Sequence, residues 1–129
     1  AYASIKFDRL ISRHDTTRQA WDWIRQNVPP GSSVVVETRK LLLPPPYKSR
    51  NVAQLRYDTY ENYRAQGVQY LVASSQSFGP YLGSPHQHPD EYRDYMRIFE
   101  QSREIVRFTP SPDGIRVPGP EIRIYRVTP

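Results

Sequence analysis

Asp15-Thr16-Thr17-Arg18-Gln19-Ala20-Trp21-Asp22-Trp23-Ile24-Arg25-Gln26-Asn27-Val28-Pro29-Pro30-Gly31-Ser32-Ser33-Val34-Val35-Val36-Glu37 reads as a helix, a hard stop and a buried strand. Thr16 and Gln19 have the spacing of a capping box, with Asp15 as a competing N-cap. Ala20, Trp23, Ile24 and Val28 fall on one helical face, with Trp21 at its edge, so Trp23 is expected to be enclosed. Pro29-Pro30 stops the helix and Gly31-Ser32 supplies the turn. The unbroken β-branched run Val34-Val35-Val36 suits a strand with both faces covered. Helix, tight turn and buried strand together seed an α/β layer structure.

Working outward, Val52 to Gln66 carries Val52, Leu55, Thr59 and Tyr63 at helical spacing, and Gly67 follows as a C-cap. Val68 to Ser74 then reads as a strand parallel to the first. Ser75 to Pro89, rich in Ser, Gly, Pro and His, reads as a loop. A further helix begins at His88 or Asp90, with Tyr92, Tyr95, Met96 and Phe99 on its stripe. Glu104 to Thr109 is a third strand. Glu121 to Val127 is a last one, whose alternating Arg residues suggest a sheet edge. The expected fold is α/β: a three-layer sandwich around a small mixed sheet of about four strands, three parallel and the last antiparallel to the third, with about three helices. Residues 1–14 form a lead-in or tether, and 15–129 a single domain.

A chain of 129 residues with ten Tyr and 12% aromatics can build one sizeable core. A formal net charge of +5 favours anionic neighbours without choosing among them, and the basic residues are scattered. With no cysteine, disulfides and thiolate metal sites are excluded. No recognition-helix, zinc-finger or RNP pattern occurs, so no nucleic-acid partner is expected. Glycine loops of the phosphate-binding kind are missing too, because Pro29-Pro30-Gly31 precedes a strand rather than a helix.

Candidate chemistry is sparse. His86-Gln87-His88 with Asp90 is a metal-like cluster that lacks a third ligand of motif quality, and His88 before a proline also suits a helix cap, so no metal or cofactor is expected. Glu37 ends the first strand and Ser74-Ser75 the second, which places them at the crevice where open α/β sheets hold ligands. Tyr81 follows on a segment read as a flexible lip, and its ring offers an apolar face to a ligand. Neither serine lies in a Gly-x-Ser-x-Gly turn, so this would be recognition without bond-making. Between the strands, Leu41-Leu42-Leu43 precedes Pro44-Pro45-Pro46, an extended polyproline segment by composition, and then Tyr47-Lys48. Leucines beside Arg39, Lys40, Lys48 and Arg50 would suit contact with anionic lipid headgroups; the alternative is that they tuck beneath the domain.

Asp15-Thr16 with Arg18, Ala20, Trp23-Ile24, Asn27-Val28-Pro29-Pro30-Gly31-Ser32 and Glu37 resembles the start of the water-soluble C-terminal region of bacterial GT-C membrane glycosyltransferases. These are polytopic relatives of the dolichyl-phosphate-mannose–protein mannosyltransferases. The likeness continues through Gly67-Val68, Tyr70-Leu71-Val72, Ser74-Ser75 and Tyr81 to Gly119-Pro120, Ile122 and Ile124-Tyr125-Arg126-Val127. Thr17 departs from it, standing where Arg would follow Asp-Thr. The resemblance implies an extracytoplasmic domain joined to a membrane-embedded part of the same polypeptide. The parent would transfer a sugar from a polyprenyl phosphate, using an acidic residue in an N-terminal loop outside this chain. It implies a non-catalytic accessory role, helping to position a glycan or peptide acceptor or the lipid-linked donor. A structural or protein-interaction module with no ligand is the other reading of the same residues.

Overall fold

The computed structural model describes residues 15–128. The expected tether, residues 1–14, lies outside them. In chain order the elements are α1 (Thr16–Asn27), β1 (Ser33–Val36), β2 (Lys48–Asn51), a 3-10 turn (Leu55–Tyr57), α2 (Tyr60–Ala65), β3 (Tyr70–Ser74), α3 (Ser75–Gly83), α4 (Pro89–Gln101), β4 (Arg103–Phe108) and β5 (Ile122–Arg126). They form an α/β domain around one mixed five-stranded sheet of order β2-β1-β3-β5-β4. β1 pairs in parallel with both β2 and β3, while β5 runs antiparallel to both β3 and β4. Every strand except β5 therefore points the same way.

The helices divide between the two faces of the sheet. On one face Ala20 and Ile24 of α1, with Val28 just after it, pack on Val34, Val36, Val72, Ile122 and Ile124. On the other, Tyr63 of α2, Phe78 of α3, and Tyr95 and Ile98 of α4 pack on Val35, Leu71, Ala73 and Tyr125. The period-two alternation of a strand sends Val34 and Val36 one way and Val35 the other, and a helical layer covers each, as the unbroken valine run implied. Ala20 and Ile24 are the enclosed apolar residues of α1; Trp23, expected to be enclosed, is half-buried at the margin. Asp15 is the N-cap, its side chain accepting from Arg18 N.

Four sequence expectations are corrected. The segment Val52–Gln66 is not one helix. Thr59 caps a short α2 through a bond from Asn62 N, and Asp58 accepts from Thr59 N and the Asn62 amide, so the local capping chemistry restarts the helix there. Ser75–Gly83 is helical rather than a loop: Ser74 Oγ caps it from Gln76 N, and Phe78, Tyr81 and Leu82 supply an apolar stripe that burial rewards despite Pro80. The sheet has five strands rather than about four: β2, made of Lys48-Ser49-Arg50-Asn51, has no hydrophobic pattern because it is an outer edge of the sheet. β5 is interior rather than an edge. Its arginines stay at the margin, with the Arg123 guanidinium over Phe78 and Phe99 and that of Arg126 over Tyr70, while Ile122, Ile124 and Tyr125 fill the core.

The parallel neighbours β1 and β2 are joined without a helix. Residues 37–47 make the crossover, and Leu41, Leu43 and Tyr47 enter the α1-side core in place of a helical face. Pro44–Tyr47 is a tight turn, with Tyr47 N donating to Pro44 O and a cis Pro45–Pro46 bond, rather than the extended segment expected. Tyr47 Oη then donates to Val28 O at 2.7 Å, satisfying a carbonyl at the end of α1.

The start of α1 is seated by the far end of the chain. Thr16 N donates to Pro118 O at 3.0 Å and the Thr16 hydroxyl donates to Pro120 O. Gly119, between them, has φ +109, and a Cβ there would lie 2.6 Å from Thr16 Oγ1. Gly119→Ala should therefore lower stability by about 1–3 kcal/mol in urea denaturation. Gly83→Ala, where a Cβ meets nothing within 4 Å, should change it by less than about 1 kcal/mol. Equal effects of the two substitutions would show that the Thr16–Gly119 approach is not a structural constraint.

Candidate functional site

The carboxyl ends of β1 and β3 converge on one buried carboxyl group. Glu37 follows β1 directly and its N donates to Val72 O, so the backbone stays in the sheet while the side chain turns inward to 3% exposure. Glu37 Oε1 accepts from Ser74 N at 2.9 Å. Oε2 accepts from Leu55 N at 2.8 Å and from the Tyr95 hydroxyl at 2.5 Å. One side chain thus ties β1 to β3, to the 3-10 turn and to α4. No cation pairs with it among the described residues.

Burial pushes the Glu37 carboxyl up to about 7, against the bonds from Leu55 N, the Tyr95 hydroxyl and Ser74 N, which favour the charged form. Burial and the neighbouring carboxyl also raise the Tyr95 phenol well above its usual range. These three donors define what the position accepts. An amide in place of the carboxyl would turn its NH₂ toward either Ser74 N or Leu55 N, so one backbone donor would face another.

The expected site residues are brought together only in part. Ser74 meets Glu37 through its backbone, while its hydroxyl caps α3. Ser75 turns to the segment before β5: its N donates to Glu121 O and its Oγ accepts from Glu121 N, both at 2.9 Å. Tyr81 lies one residue removed, stacked on Tyr95 with centroids 6.0 Å apart and edge-on to His88 at 5.1 Å. Its hydroxyl accepts from Gln54 Nε2 at 3.3 Å, and the Arg56 guanidinium lies over its ring. The segment read as a flexible lip is therefore part of α3, held by Phe78 in the core and by Tyr81 on Tyr95.

The residues that sequence reasoning missed are Tyr95, Gln54 and Arg56. Tyr95 belongs to the apolar stripe of α4, and that stripe by itself does not say what its hydroxyl bonds. A carboxylate at the end of a buried strand is the signal that such a donor is required. Arg56 Nε donates to Gln54 Oε1 at 2.6 Å, and its guanidinium lies 3.6 Å from Asp94. Beside this cluster, a cavity of about 480 Å³ opens between residues 56–61 and α4, lined by Arg56, Asp58, Glu61, Asp94 and Arg97 among others; Glu37 does not line it.

His86, His88 and Asp90 do not assemble a metal site, and no group of three potential ligands occurs among the described residues. His88 is the N-cap residue of α4 by position, without a side-chain cap bond. Of the residues expected to touch lipid, Leu41, Leu43 and Tyr47 are core residues and cannot reach a surface, whereas Leu42 and Lys48 are exposed. Comparison of the chain with protein-family models, with curated proteins and with solved structures finds no match in any of the three.

The Glu37 carboxyl makes stability pH-dependent with a defined sign. Its folded value near 7 lies above the ordinary 4.5, so the folded state binds more protons between those limits. Stability should fall as pH rises from about 4.5 through 7, by roughly 3 kcal/mol in all, and then level off. Urea denaturation across that window checks it. The Glu37→Gln variant should give a flat profile that lies about 1–3 kcal/mol below the parent at pH 5, where the neutral parent carboxyl still accepts from both Ser74 N and Leu55 N and an amide cannot. A variant that kept the slope would assign the titration to another group.

Proposed function

We propose that this chain is a non-catalytic accessory domain of a membrane glycosyltransferase that uses a polyprenyl-phosphate-linked sugar. In this reading it stands on the extracytoplasmic face of the bacterial cytoplasmic membrane and helps to position a glycan or peptide acceptor, or the lipid-linked donor. The observation that supports a non-catalytic role is the engagement of polar groups at the carboxyl ends of the sheet. Both Glu37 oxygens bind internal donors, Ser74 caps a helix, and Ser75 is bonded to Glu121. Among the described residues neither serine hydroxyl is bonded to a side-chain base, and Glu37 is enclosed with its three donors.

The assignment to a glycosyltransferase rests on the sequence resemblance. Two of the stretches that carry it, Asp15-Thr16 and Gly119-Pro120, are packed against each other. No helix among the described residues is long and apolar enough to cross a membrane, so the membrane-embedded partner in this reading is another part of the same polypeptide.

The same engagement of Glu37 and Ser74 favours a second reading, a structural or protein-interaction module without a ligand. NMR titration with glycans and acceptor peptides separates the two. An accessory domain should show shifts clustered at Gln54, Arg56, Tyr57 and Tyr81, the polar and aromatic groups left around the crevice. A flat response at about 10 mM ligand would favour the structural module. Under either reading the isolated chain should show no transferase or hydrolase turnover with polyprenyl-phosphate sugars. The glycosyltransferase assignment itself fails if the coding sequence upstream of residue 1 encodes no polytopic region with an acidic residue in an early extracytoplasmic loop.

A further inference from the structure

The outer side of α1 and the crossover loop meet in one surface patch. Trp21 Nε1 donates to Leu42 O at 3.1 Å, which fixes the loop against the helix. Leu41 and Leu43 are buried on either side, so the chain between them is pinned and Leu42 is driven outward to 68% exposure. Arg18 and Arg25 place their guanidinium carbons 5.4 and 5.0 Å from the Trp21 ring centroid. Arg39 and Lys40 precede Leu42 and are exposed. Among the described residues Arg25, Arg39 and Lys40 have no carboxylate partner, while Arg18 is paired with Asp22 at 3.2 Å. A shallow cavity of about 320 Å³ lies here, lined by Asp15, Thr17, Arg18, Trp21, Lys40 and Leu42. Asp15 is the carboxylate in it, and it is engaged with Arg18 N as the helix cap.

We propose that this patch, Leu42 and Trp21 ringed by Arg18, Arg25, Arg39 and Lys40, docks on the surface of an anionic phospholipid bilayer. Four cations against the carboxylates of Asp15 and Asp22 leave the patch positive, which complements lipid phosphates. A leucine held outward beside an indole gains by entering the headgroup–acyl boundary. A single-stranded nucleic acid is a poorer occupant, because guanidinium groups already lie over the Trp21 ring that bases would stack on. Lys48, on the outer strand β2, does not line this cavity, so the patch differs from the continuous loop suggested by sequence.

The test is sedimentation of the full 129-residue chain with vesicles of phosphatidylcholine alone or with roughly a third phosphatidylglycerol. Binding should require the anionic lipid and weaken with salt. Arg39→Gln and Lys40→Gln should each weaken it about fivefold, and Leu42→Asp about tenfold. Lys48→Gln should change it by less than about twofold. In a Trp23→Phe background, Trp21 emission should shift to shorter wavelength on binding. Soluble glycerol phosphate, which carries the charge without the bilayer, should not compete at about millimolar concentration. The proposal is overturned by absent binding, by equal binding to phosphatidylcholine alone, or by a Lys48→Gln loss as large as that of Lys40→Gln. Competition by glycerol phosphate would overturn the bilayer in favour of a free phosphate site. The proposal does not depend on the glycosyltransferase reading, whose test is the upstream sequence.

Discussion

The Glu37 carboxyl is the constraint from which the arrangement of the domain follows. A desolvated carboxylate is costly unless donors surround it, and here the donors come from β3, from the 3-10 turn and from α4. Each has to be in place for the group to be buried at all, so the contact specifies a mutual position for four elements rather than merely adding stability. The absence of a cation partner among the described residues explains why burial wins and the carboxyl moves up to about 7.

Around this centre the helical layer of α1 is fastened at both ends by chain-distant contacts. Thr16 binds Pro118 and Pro120 at its start, and Tyr47 Oη binds the Val28 and Ile24 carbonyls at its end. The crossover from β1 to β2 serves the same layer, because Leu41 and Leu43 occupy core volume that a crossover helix would otherwise fill. Burying those leucines is also what leaves Leu42 outside. One alternation in the loop therefore builds the core and shapes the surface patch together.

The chemistry available to the domain follows from this economy of polar groups. Carboxylate and serine hydroxyls at the sheet ends, where an α/β fold offers a ligand site, are committed to holding helices and strands. Exposed groups lie further out: Tyr57 beneath the Arg56 guanidinium on one side, and Leu42 with the exposed cations Arg25, Arg39 and Lys40 on the other.

Local chemistry carried much of the fold. Asp15, Pro29-Pro30 and Gly67 bound their elements because caps, prolines and positive φ act within a few residues. The valine run declared a strand covered on both faces, since burial on both sides leaves no polar position. That the strands at 34–36 and 70–74 run parallel followed from the helix between them. Tertiary structure decided the rest. β2 has no pattern to read because an edge strand is defined by its neighbour. β5 sits inside the sheet although its arginines suggest an edge, because long side chains can lie over aromatic rings. α3 forms against its proline because Phe78 and Tyr81 have a core to enter. Glu37 looked like a ligand-facing carboxylate until Tyr95, 58 positions away, was folded onto it. No local signal encodes which distant hydroxyl will satisfy a buried charge; only the packed chain brings them together.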